Sequence, residues 1–196
     1  MSYERFTGES AAMLLIDHQV GTMKWAKSLP FEELKRNALM LAKTARILKM
    51  PVVLTSSMED YAQGPLLPEL EAILPAEFAA RIKRLGIVNA MEDENFAAAV
   101  KATGRRKLII AGVTNDVCTV YPALSLALEG YEVQVVADAG ASPTKFADEI
   151  ALSRMEKNGV TLTSTNQVIA ELAGSWATPE GGQIVEQVVM PALTNP

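Results

Sequence analysis

"KLIIAGVTNDVCTVYPAL", residues 107–124, decides how this chain is read. Its first six residues form a nearly unbroken apolar run, the pattern of a parallel strand covered on both faces. The run gives way at Gly112 to a helical pattern, and inside that junction sits Cys118, the single cysteine of the 196-residue chain. A lone thiol is ordinarily a small buried hydrophobe. At a helix N-terminus, free backbone N–H groups and the helix dipole favour an anion and lower a thiol's pKa. Pro122 cannot donate the helical bond back to the Cys118 carbonyl. Either the turn around the thiol is not closed by its own ladder, or the helix starts later.

Working outward, the same alternation repeats. "AAMLLID" (11–17) is a second continuous apolar run, ending in a carboxylate. Residues 30–50 carry Phe31, Leu34, Ala38, Leu41, Ala45 and Leu48 at helical spacing, with Pro30 at the start and Pro51 as the stop. "VVLT" (52–55) is a strand, residues 63–75 read as a Gly- and Pro-rich loop, and "ARIKR" (80–84) is a weak strand. A short helix over 93–104 closes at Gly104. After the cysteine segment a helix runs from about Val117 to Glu129. Next come the strand "EVQVVAD" (132–138), a helix opened by Ser142 as cap and Pro143 at its first position, and the strand "VTLT" (160–163). Ser164 to Gln167 reads as a capping box for one more helix. Six strands alternating with helices predict an α/β, three-layer α/β/α sandwich on a six-stranded parallel sheet. The order 3-2-1-4-5-6 would make the first and fourth strands neighbours where the strand order reverses, the place where such sheets bind ligands.

Composition narrows the function. The net charge is −5, and no Lys/Arg stripe forms, so no nucleic acid partner is expected. No apolar run approaches membrane-spanning length and no signal-peptide pattern opens the chain, so no membrane association is expected. One cysteine cannot form an internal disulfide, which suits a reducing, cytoplasmic location. The expected division is one domain over 1–176 and a tail over 177–196. Ile184, Val185, Val188 and Val189 give that tail an apolar face at helical spacing. Both sheet faces are already covered in a three-layer sandwich, so the tail is expected to lie across a contact in a homo-oligomer larger than a dimer.

Asp17 ends the first strand and Cys118 follows the fourth, so the two could meet. A thiol's usual base is histidine, but the only one, His18, directly follows Asp17 and would point to the opposite face. One His and one Cys cannot make a closed zinc site, so no metal is expected. No phosphate-cradling glycine pattern appears either, and no cofactor is expected. A carboxylate base beside a thiol needs a nearby cation. Lys83 and Arg84, which alternate in facing at the end of the third strand, are the candidates.

"LLIDHQ", the basic residue before "GIVNAMEDENF", and "LIIAGVTNDVCTVYPALSLALEGYEVQVVADA" resemble the isochorismatase-like cysteine hydrolases, especially their YcaC-type branch. The resemblance runs from about Ala11 to Trp176. It implies Asp17 as general base, Cys118 as nucleophile and a triad cation, for which "RLGIVNA" favours Arg84 with Lys83 as the alternative. It further implies a cis peptide between Val113 and Thr114, and an oxyanion hole from the Thr114 and Cys118 N–H groups. The sequence departs from the wider family at Asn115, where many members have threonine, and lacks the histidines of the zinc-binding branch. True isochorismatases lack the cysteine. The implied function is metal-independent hydrolysis of a C–N bond in a small-molecule amide or carbamoyl substrate through a Cys thioester. The alternative is a non-catalytic or redox-responsive assembly protein that keeps a reactive thiol.

Overall fold

Residues 4–194 are described by the computed structural model; the ends of the predicted domain and tail, residues 1–3 and 195–196, lie outside them. Along the chain run β1 (Ala11–Ile16), α1 (Thr22–Trp25), α2 (Phe31–Ile47), β2 (Val52–Ser57), α3 (Pro68–Ile73), α4 (Pro75–Ala79) and β3 (Ile82–Arg84). Then come α5 (Glu94–Ala102), β4 (Lys107–Gly112), α6 (Val120–Leu128), β5 (Glu132–Val136), α7 (Lys145–Lys157), β6 (Thr161–Thr163), α8 (Thr165–Ala173), α9 (Pro179–Ile184) and α10 (Met190–Thr194). The six strands form one all-parallel sheet, as the alternation predicts, and take the expected order β3-β2-β1-β4-β5-β6.

β1 and β4 are buried at every position, which is why they read as continuous apolar runs. Successive side chains enter opposite cores. Met13 and Leu15 of β1 join a core with Leu34 and Leu41 of α2 and Val168 of α8. Ala12, Leu14 and Ile16 join the other, with Phe96 and Val100 of α5, Leu126 of α6 and Met155 of α7. Ile16 pairs with Gly112 in β4 and with Thr55 in β2, so the two central strands end level with each other beside the point of reversal.

The structure corrects several local expectations. β1 stops at Ile16, and Asp17 turns into the left-handed region at φ 57, a conformation that Asp tolerates better than most residues. β5 stops at Val136 and runs into a 3₁₀ turn, Ala137–Ala139. The expected loop at 63–75 contains α3 and starts α4, each with a proline in its first turn; there the prolines begin helices. α7 starts at Lys145, with Thr144 Oγ1 accepting from the Ala147 N–H at 3.1 Å, because the Ser142 hydroxyl is already committed to Asp148 at 2.6 Å. Ser164 makes no capping bond; Asp138 Oδ1 instead accepts from the Thr165 N–H and hydroxyl at 2.7 and 2.9 Å.

The tail differs most. α9 folds back on α2 and α8, the π-helical turn (Val185–Val189) packs on α2, and α10 continues from that turn. Ile184 and Val188 are 0% and 2% exposed within the first core. Half of the expected apolar stripe is thus covered by its own domain, while Val185 and Val189 are half-buried.

Candidate active site

Three elements converge at the carboxyl ends of the central strands. Asp17 leaves β1, Arg84 closes β3, and Cys118 lies in a π-helical turn (Asn115–Thr119) between β4 and α6. The Thr119 N–H reaches the Thr114 carbonyl five residues back, at 3.1 Å. That wider turn joins α6 just before Pro122, so the missing Pro122 donor falls where the ladder changes pitch.

Arg84 reaches from β3 across β2 to β1. Its Nε donates to Thr55 Oγ1 at 3.0 Å, Nη1 to the Ile87 carbonyl at 2.7 Å, and Nη2 to both carboxylate oxygens of Asp17 at 2.5 Å. Thr55 also supplies the carbonyl that accepts from the Asp17 N–H, at 2.9 Å. Both charged side chains are 1% exposed. A buried ion pair persists only with such geometry and with its remaining donors satisfied. Lys83, one residue away, points outward: it is 59% exposed and pairs with Glu59 at 2.9 Å. Strand alternation thus brings Arg84, not Lys83, to Asp17.

The Cys118 thiol stands beside Asp17, close enough for each to act on the other's titration. Burial pushes the thiol pKa up, and the Asp17 charge pushes it further; the Thr114 backbone and the Arg84 charge act weakly the other way. The expectation of a thiol lowered by a helix end is therefore corrected. The residue sits fourth in a π-turn beside a carboxylate, and like charge with desolvation outweighs the dipole. Burial also raises Asp17, only partly opposed by Arg84 and Cys118. With its pKa raised, the thiol keeps its proton at rest. The Val113–Thr114 peptide bond is cis.

His18 takes no part. It is fully buried, its Nε2 lies 2.8 Å from the Ala139 carbonyl, and burial lowers its pKa to about 4. Among the described residues, no three His, Cys, Asp or Glu side chains converge as a metal-holding group.

The cysteine turn is anchored from behind by residues that sequence reasoning missed. Asp148 of α7 accepts from Asn115 Nδ2 at 3.1 Å and from Ser142 Oγ at 2.6 Å. Ser142 Oγ in turn accepts from the Asp116 N–H at 3.2 Å. Asn115 also donates to the Ala137 carbonyl at 3.1 Å, which explains an amide at this position. A Cβ at Gly140 would overlap Asn115 Oδ1, so the close approach requires glycine. The sequence signals for this network were Asn115, read as a departure from the wider family, and Ser142, read as a helix cap.

Asp17, Arg84, Thr114 and Cys118 line one cavity of about 340 Å³, with Trp25, Met58, Ile87 and Val88 among its apolar walls. That volume suits a small molecule.

Fold and site together define an α/β protein with a thiol, a carboxylate and a guanidinium at the strand reversal. The description of the isochorismatase domain matches residues 11–167. The chain belongs to the isochorismatase family. It is 39% identical to the probable hydrolase YcaC of Escherichia coli K12 over 174 residues, 89% of this chain and 83% of that protein. Two solved structures each cover 100% of this chain with a TM-score of 0.92. One is YcaC from Pseudomonas aeruginosa with hexane-2,5-diol and covalent acrylamide, 38% identical with 96% of it covered. The other is the Escherichia coli YcaC gene product, an octameric hydrolase of unknown specificity, 37% identical with 95% of it covered. No helix among the described residues is long and apolar enough to cross a membrane.

Proposed function

We propose that this protein is a cysteine hydrolase that cleaves a C–N bond of a small amide or carbamoyl compound without a metal or cofactor. One observation carries the reading: the buried Arg84–Asp17 pair, with the single thiol beside Asp17, opens on a substrate-sized cavity. Asp17 takes the thiol proton as sulfur attacks the carbonyl, so thiolate exists only during attack. Arg84 stabilises Asp17 and the developing charge but does not transfer a proton. The Thr114 and Cys118 N–H groups hold the oxyanion. Asp17 then passes the proton to the leaving nitrogen, and the C–N bond breaks to leave a thioester. Water, deprotonated by Asp17, releases the acid, and Asp17 returns the proton to sulfur.

The covalent acrylamide in the Pseudomonas relative supports a site open to small electrophilic amides. The redox-responsive alternative requires a thiol acidified at rest, and the raised Cys118 pKa speaks against it. The octameric relative supports a homo-oligomer larger than a dimer, with exposed Trp176, Met190 and Leu193 in or beside the tail available to a neighbouring subunit. The lone cysteine suits a cytoplasmic protein. A screen of small amides for burst release of amine tests the activity. Turnover surviving in Cys118→Ala contradicts it.

A further inference from the structure

The charge in the wall of the cavity points to a substrate class. The lining residues carry three ionisable charges: Asp17, Arg84 and Asp116. Asp17 and Arg84 cancel, and the Arg84 donors are committed to Asp17, Thr55 and the Ile87 carbonyl. Asp116 stands two residues before the nucleophile and has no ion-pair partner among the described residues. Its Oδ1 is buried and meets no hydrogen-bond partner there, while the residue as a whole is half-buried and lines the cavity. Arg154 borders a neighbouring hollow with Asp116, yet its guanidinium lies 5.5 Å over the Tyr121 ring and does not pair with the carboxylate. Lys24, Lys27 and Lys145 line a separate hollow. A second orphaned acceptor, Thr22 Oγ1, belongs to a residue only 5% exposed that also lines the cavity. The indole of Trp25, 46% exposed, adds a π-face suited to a cation.

A cleft with one uncompensated negative charge concentrates cations and N–H donors and repels anions. Buried acceptors without partners ask for a donor from elsewhere. We propose that the cavity selects an amide or ureide that carries no negative group. Asp116 is its specificity-determining residue and accepts from the nitrogen end of the substrate. This rests on the reading of Cys118 as the nucleophile facing the cavity.

The test needs no known substrate, because Cys118 is the only thiol. Rates of modification are measured with 2-aminoethyl and 2-sulfonatoethyl methanethiosulfonate, each normalised to its rate with 2-mercaptoethanol. The cationic reagent is expected to be favoured by about tenfold in the wild type. Asp116→Asn, which is isosteric, is expected to bring that ratio close to one, and Asp116→Glu to keep most of it. Added salt is expected to compress the ratio in the wild type and leave the Asn variant unchanged. Equal normalised rates in the wild type, or a ratio unchanged in Asp116→Asn, overturn the substrate class while leaving the nucleophile reading intact. Failure of both reagents to modify folded protein overturns the nucleophile reading, and this inference with it.

Discussion

Arg84 Nη2 lies 2.5 Å from both carboxylate oxygens of Asp17, and the two side chains are each 1% exposed. Truncating either partner leaves a buried charge alone, a loss of about 3–5 kcal/mol. Arg84→Ala is expected to lower the unfolding free energy in urea by that much and to abolish hydrolysis. Lys83→Ala removes an exposed ammonium from Glu59, which Arg81 still holds, and is expected to change stability by less than about 1 kcal/mol. Denaturation and amine-release assays on both variants check this; a dead Lys83→Ala beside an active Arg84→Ala reverses the assignment.

Asp17→Asn is expected to separate thiol reactivity from catalysis. Burial and the Asp17 charge raise the Cys118 pKa, and Arg84 opposes them. Removing the carboxylate charge leaves the guanidinium beside sulfur, so the thiol pKa falls and iodoacetamide labelling near pH 7 speeds up. Hydrolysis stops, because the proton acceptor is gone. Labelling across pH reads the shift directly, and slower labelling in Asp17→Asn contradicts this picture.

His18 makes stability depend on acid. Its folded pKa is lowered from 6.5 to about 4 by burial. The unfolded chain therefore binds a proton before the folded one does. The stabilisation is fully present above pH 6.5 and is lost as pH falls from 6.5 towards about 4, to the extent of about 3 kcal/mol. Urea midpoints across that range are expected to fall more steeply for the wild type than for His18→Gln. Equal slopes contradict the assignment.

The Asp148 network is expected to hold the nucleophile turn. Asp148→Ala leaves Asn115 Nδ2 and Ser142 Oγ without their shared acceptor, a cost of about 2–3 kcal/mol for charge-assisted bonds. Asp148→Asn keeps an acceptor oxygen and is expected to lose less than half of that. The kcat of hydrolysis is expected to follow the same order with KM little changed; an Ala variant with unaltered kcat removes the positioning role.

Truncation after Trp176 is expected to destabilise the domain itself. Ile184 and Val188 are buried against α2 and α8, and exposing the surfaces they cover costs about 3–5 kcal/mol. Thermal unfolding of the truncated chain checks this, with light scattering for its assembly.

Much of this was legible beforehand, for identifiable reasons. β1 and β4 lie between two cores, so every residue had to be apolar, and that run marks a parallel strand without ambiguity. Their carboxyl ends named Asp17 and Cys118. Facing at Lys83 and Arg84 was open because a three-residue strand carries too few alternations to set its phase. The thiol's environment was misread because the helix end is visible in sequence, whereas burial and the carboxylate beside it come from three distant segments. Asp148 was hidden for the same reason: it acts on Asn115, 33 residues away. Pro68 and Pro75 looked like loop residues because a helix of five or six residues has no periodicity to set against a proline.

The central claim is that Cys118 attacks the substrate carbonyl and carries its acyl group. Its most direct test is intact-mass spectrometry on protein acid-quenched during turnover of an amide found in the screen. The account predicts a mass increase equal to the acyl fragment, mapped to the peptide containing Cys118, forming as amine is released and decaying on the time scale of turnover. Amine release at full rate with no adduct on that peptide, or an adduct on any other residue, contradicts it.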